Sequence, residues 1–158
     1  PSGLFGMSSS HLSYSSAAAA SSKLLAGLGV SARVFLCLGA LSAGASVVFS
    51  AAFAHLPVFA AGMPSAVQTA LSQQQFHALG LLLVGLALGH RPASRALRVS
   101  GGLMLVGLVL FSFNLYARHI WSFDSFRALV PWGGSAWIAA WLCLAGAFVR
   151  ADAPARLG

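Results

Sequence analysis

The pattern along this chain is one of long uncharged apolar runs separated by short breaks. From residue 34 to residue 90 there is no Asp, Glu, Lys or Arg. That stretch is too long for one membrane crossing, which takes about 20 apolar residues. A first span is predicted over about 34–54. It is dense in small residues, including Gly39, Ala40, Ser42, Ala43, Gly44, Ala45 and Ser46, which let helices approach closely in lipid. His55, Pro57, Gly62 and Pro64 end it in a turn.

A second span is predicted over about 65–89, with Pro64 beside its cap. Its purely apolar part, Ala78 to Gly89, is too short to cross alone. Its first turns carry Gln68, Gln73, Gln74, Gln75 and His77, and such groups at membrane depth should face other helices. The uncharged run between Arg98 and Arg118 predicts a third span over about 99–117. The run between Arg127 and Arg150, opened by Pro131, predicts a fourth over about 129–149. Trp121 and Trp132 suit a membrane–water interface. The fold class is therefore an all-α integral membrane protein, a four-transmembrane-helix bundle occupying 30–150. A Ser/Ala-rich tail over 1–29 precedes it, and a short tail over 151–158 follows.

Composition agrees with this pattern. Hydrophobic residues make up 58% of the chain and charged residues 7%, far below the roughly 25% of a globular domain. The net charge of +7 would suggest nucleic acid if the cations formed a patch. They stand singly between apolar runs, so no nucleic-acid partner is expected. With four crossings, Lys23, Arg33, Arg91, Arg95, Arg98, Arg150 and Arg156 fall on one side, and Arg118 and Arg127 on the other. Both termini are thus expected on the cytoplasmic, matrix or stromal side. The tail is poor in acid and rich in serine, and the start at Pro1 fits a processed or incomplete chain. An organellar inner or thylakoid membrane is favoured over a bacterial inner membrane on that ground.

Four segments taken in order resemble a known family. Leu38-Gly39-Ala40-Leu41-Ser42 with Ala54-His55 is similar to its first helix. Ala70, Gln74 and His77-Ala78-Leu79 are similar to its second. Phe111-Ser112 with Leu115-Tyr116, then Pro131-x-Gly133-Gly134 with Trp141, are similar to its last two. The family is the small inner-membrane group called domain of unknown function 423, which includes bacterial YgdD-like and mitochondrial transmembrane-protein-256-like proteins. The likeness covers 34–149. It departs at Phe53, where the family carries glycine, and at Phe113-Asn114, where it carries Gly-Ser. The resemblance implies four helices and a membrane location, and no activity.

His55, Gln74, His77, Ser112, Asn114, Tyr116 and His119 are expected to converge in one polar cluster toward the far ends of the helices. Imidazoles ligate metals and titrate near neutrality. A metal site takes three or four ligands, however, so hydrogen bonding between helices is the simpler reading. His77 is expected to point at Tyr116 or Ser112. Close helix packing is expected at Gly39, Gly44, Gly80, Gly101, Gly102, Gly107, Gly133 and Gly134. Cys37 and Cys143 read as small apolar side chains. No hydrolytic, redox or phosphate-loop motif occurs, and no acid lies within a span as an ion pump would require.

The expected role is a non-catalytic accessory subunit of a larger membrane complex, respiratory or photosynthetic in type. The tail would contact neighbouring subunits through Phe5 and Tyr14. Bound lipids are expected, no metal, and a pigment only within a photosynthetic complex. One alternative is a channel or small-molecule carrier acting as a homo-oligomer. Another is a pigment- or metal-binding membrane protein using His77 or His55.

Overall fold

A computed structural model describes residues 27–149. The tails, with Phe5 and Tyr14, lie outside those residues, and so does most of the stretch expected to contact neighbours. Four helices cross the bundle: α1, Val30–Phe53; α2, Ser65–His90; α3, Arg95–Trp121; and α4, Val130–Val149. Each is long and apolar enough to span a membrane. No strand occurs among the described residues. Single 3₁₀ turns, Pro57–Phe59 and Arg127–Leu129, lead into α2 and α4.

The helices run past the apolar segments that mark them. Ser94 caps α3, its hydroxyl accepting from the Leu97 N–H, so Arg95 and Arg98 sit in the first turn instead of in a loop. At the other end α3 continues through Arg118 and His119 until Ser122, which adopts the left-handed conformation. That geometry ends a helix by exposing its last carbonyls to N–H donors from beyond the turn, here the N–H of Phe123 to the Ala117 carbonyl.

Inside α3, Leu108–Phe113 is π-helical. The wider turn resets which residues face inward. Leu97, Ser100, Gly101, Met104 and Gly107 are buried before it, Leu108 and Ser112 within it, and Leu115 and Tyr116 after it. One helix thereby keeps contact with both α2 and α4 along its length.

The bundle is two antiparallel hairpins, α1–α2 and α3–α4, joined along α2 and α3. Half of the most apolar window of α2 is buried, against 17% for α1. So α2 is the central helix, and α1 lies on its flank. Between the helices there are two apolar cores. The larger, at the end shared by Gly29 and Val149, contains Phe35, Leu81, Leu88, Leu97, Met104 and Leu144. The smaller, at the far end, contains Phe53, Phe59, Val67, Ala70, Leu115 and Tyr116.

Close approaches explain five of the eight glycines expected to pack. A Cβ on Gly39 would meet the Ala78 carbonyl oxygen at 2.9 Å, and one on Gly133 the Phe111 backbone nitrogen at 2.7 Å. Gly80, Gly101 and Gly107 lie under Met104, Phe35 and Trp137. Gly44, Gly102 and Gly134 have nothing within 4 Å. They point away from the neighbouring helices of this chain and do not pack against them. Gly85, under Leu36, packs closely without having been expected to. Leu28 reaches Gly89 and the larger core, so the end of the segment read as a tail packs on this chain's own helix.

Candidate functional site

The polar groups of the interior form a layer between the two apolar cores. Gln74 and His77 sit near the middle of α2, at mid-membrane depth and not toward one end. Being 3 residues apart on a helix, they point to neighbouring but different sectors, and each meets different partners.

Gln74 is fully buried. Its Nε2 donates to the Ser42 carbonyl of α1 at 3.0 Å, and its Oε1 accepts from the Tyr116 hydroxyl of α3 at 2.8 Å. One side chain thus ties three helices together. Ser112, one turn before Tyr116, donates to the Ala70 carbonyl of α2 at 2.9 Å. In lipid no water is present to satisfy these groups, so each must find a partner within the protein. Ser42 Oγ is the one buried side-chain N or O atom among the described residues that lacks one.

His77 faces α4. Its ring stacks on Trp137, centroids 3.9 Å apart and planes 8° apart. Nδ1 lies 2.8 Å from the Gln73 carbonyl, and Nε2 lies 3.2 Å from Trp141 Nε1. A carbonyl only accepts and an indole N–H only donates. These partners therefore fix one tautomer: Nδ1 carries the proton, and the Nε2 lone pair receives the Trp141 N–H. Both nitrogens are occupied in a neutral ring. Trp137 in turn donates to the Met104 carbonyl at 3.1 Å, and Ser100 donates to the Ala140 carbonyl at 2.8 Å. These bonds lock α3 to α4.

The single cluster expected from sequence therefore divides. Gln74, Ser112 and Tyr116 come together. His77 turns instead to Trp137 and Trp141, because its position on α2 faces α4 and not α3. Asn114 lies apart, donating to the Phe126 carbonyl at 2.6 Å, and so anchors the α3–α4 loop. His119 is bound to its own helix through the Leu115 carbonyl. His55 is exposed in the turn after α1, where the helix has already ended. Trp137 is the partner that sequence reasoning missed. The available signal was its position: Trp137 and Trp141 share a face of α4 at spacing four, and a buried indole N–H needs an acceptor.

The far end carries an interfacial collar. Trp121, Phe123, Phe126 and Trp132 are all exposed, as aromatic side chains are at a bilayer boundary. Arg118 Nε pairs with Asp124 Oδ1 at 2.8 Å. At the opposite end, Arg91 donates to the Ala147 carbonyl at 3.0 Å and lies 5.7 Å over the Phe148 ring. A cation there complements the C-terminal end of α4. No group of three or more His, Cys, Asp or Glu occurs among the described residues.

Four spanning helices, with interior polar side chains bonded to one another and to backbone carbonyls, define an integral membrane protein. The family described as "Protein of unknown function (DUF423)" matches residues 50–134. The chain is 29% identical over 126 residues to the UPF0382 membrane protein YwdK of Bacillus subtilis, a match that covers 75% of this chain and 98% of that one. It is 34% identical to a UPF0382 membrane protein of Staphylococcus saprophyticus, covering 71% of this chain and 93% of the relative. A UPF0382 membrane protein of Haemophilus influenzae is 32% identical, over 70% and 90% of the two chains. The chain belongs to this membrane protein family. No solved structure matches it.

Proposed function

We propose that this chain is a non-catalytic packing subunit of a larger membrane assembly, acting through the outward face of α1. The observation that carries the reading is the contrast between that face and the interior. Gln74, Tyr116, Ser112, His77 and Trp141 are bound to one another or to backbone carbonyls, which leaves the lone Ser42 hydroxyl and no converging set of free polar groups among the buried residues described. α1, in contrast, is covered on one side only. Cys37, Ala40, Gly44, Val47 and Ala51 are exposed along its other side at the three- and four-residue spacing of one helix face. Small residues so arranged allow a second helix to approach closely in lipid, where van der Waals contact drives association.

The pigment or metal reading draws less support, because both His77 nitrogens already have partners and His55 stands alone. The homo-oligomeric carrier draws support from no particular feature. Purification of the chain from its native membrane in mild detergent, followed by mass spectrometry, tests the proposal. A stoichiometric protein partner that is lost in Gly44→Leu but retained in Gly102→Leu is expected. Recovery of the bare chain, or of copies of it alone, would sink the subunit reading. The identity of the partner would name the assembly, respiratory, photosynthetic or other.

A further inference from the structure

A second surface lies apart from the outward face of α1. Two apolar clefts run along α3 and adjoin at Val109 and Phe113. One, of about 340 Å³, lies between α1 and α3 and is lined further by Leu38, Leu41, Leu105 and Leu108. The other, of about 360 Å³, continues toward the collar past Leu110, Ala117, Phe126 and Leu129. The π-helical segment Leu108–Phe113 forms the shared wall. Such segments are rare and often mark functional sites.

The apolar lining and the charge at one end suit one kind of occupant. From Leu105 to Ala117 the path is about 18 Å at 1.5 Å per residue, so the mean cross-section is about 40 Å². Clefts of that bore, lined by aliphatic and aromatic side chains, take an alkyl chain along their length. Their far end opens among Phe123, Phe126 and Leu129, within the aromatic collar that sits at headgroup level. Arg127 follows Phe126 there and is exposed. Asp124 is already held by Arg118, so Arg127 is the uncommitted guanidinium at that end among the described residues. Guanidinium groups bind phosphate bidentately.

We propose that this cleft is a binding site for one anionic phospholipid, with an acyl chain along Val109 and Phe113 and the headgroup phosphate on Arg127. The site is independent of any protein partner on α1 and is tested on the isolated chain.

The full-length protein in mild detergent is incubated with dioleoyl phosphatidylglycerol or dioleoyl phosphatidylcholine and examined by native mass spectrometry. One retained phosphatidylglycerol is expected, in several-fold preference over phosphatidylcholine, whose choline cation offsets the attraction between its phosphate and Arg127. Val109→Trp fills the junction of the clefts. Because Val109 is 56% exposed, the substitution leaves the core intact, and it should lower the lipid-bound fraction about tenfold. Arg127→Gln should keep a bound lipid but abolish the preference for the anionic one. Val47→Trp, on the outward face of α1, should change neither. Unchanged retention in Val109→Trp, or equal retention of the two lipids by the unaltered protein, would overturn the proposal. So would a photo-crosslinker at Val109 that captures a protein chain from native membranes in place of lipid. Loss of the α1 partner with lipid retention intact would refute only the subunit reading.

Discussion

Gly39 and Gly44 lie on the same helix, and replacing each with alanine gives a controlled measure of how tightly α1 and α2 are packed. A Cβ on Gly39 would stand 2.9 Å from the Ala78 carbonyl oxygen, 3.0 Å from the Leu82 backbone nitrogen and 3.1 Å from the Leu81 Cβ. Two of those atoms are backbone, so no side chain can swing aside and the helices must part by about 0.5 Å. A gap of that size forfeits about a quarter of the contact energy of the facing atoms. It also stretches the bond from Gln74 Nε2 to the Ser42 carbonyl from 3.0 Å to the edge of hydrogen-bond range. Such bonds average about 0.6 kcal/mol in a membrane bundle, and overpacking a close contact costs about 1–3 kcal/mol. Gly44 has nothing within 4 Å. Both substitutions bring the same gain in helix propensity, about 0.5–1 kcal/mol, which cancels on subtraction. Gly39→Ala should therefore be less stable than Gly44→Ala by about 1–3 kcal/mol in equilibrium unfolding in mixed micelles. Equal stability of the two variants would refute the close α1–α2 contact and the role given to Gln74 with it.

Tyr116→Phe should cost about 1 kcal/mol in the same assay, the scale of one membrane hydrogen bond, and Gln74→Leu should cost more, because it frees the Ser42 carbonyl and strands the Tyr116 hydroxyl together; the reverse order would count against Gln74 as the hub. Single cysteines at Gly29 and Ala93, with Cys37 and Cys143 replaced by alanine, should react with an impermeant thiol reagent from the cytoplasm-like side and one at Ser125 from the opposite side, and labelling of Gly29 and Ala93 from different sides would defeat the topology.

The spans were legible because charge-free runs bounded by arginine are what a bilayer requires of a sequence. Their ends were not, since a helix can carry Arg95, Arg98 and Arg118 outside the hydrocarbon and stay helical. The meeting of Gln74 with Tyr116 is in keeping with the rule that buried polar groups seek one another, whereas Ser112 found a backbone carbonyl. The direction of His77 did not follow from that rule. Three residues along a helix turn a side chain to a different neighbour, and which neighbour stands there depends on the bundle order. That order rests on close contacts such as Gly39 against Ala78 and Gly133 against Phe111. A glycine in a sequence is only a missing side chain, so Gly44 and Gly39 look alike until the facing helix is placed. The π-helical turn in α3 left no mark on the hydrophobic pattern at all.

The central position of α2 bears on how the chain enters the bilayer. Its best window has a mean hydropathy of 1.2, against 2.0 for α1, and Gln74 and His77 lie near the middle of the helix. Alone, α2 would carry the Gln74 amide and the His77 Nε2 into hydrocarbon without partners, a cost of several kcal/mol for each unsatisfied group. α1 emerges before α2 during synthesis and offers the Ser42 carbonyl to Gln74. The Tyr116 hydroxyl that donates to Gln74 and the indole that meets His77 come later, on helices that need α2 in place before they can dock. Insertion is thus a relay, with α1 as the local solvent for α2, and a lesion in the α1–α2 contact should lower the amount of protein reaching the membrane before it alters the finished bundle.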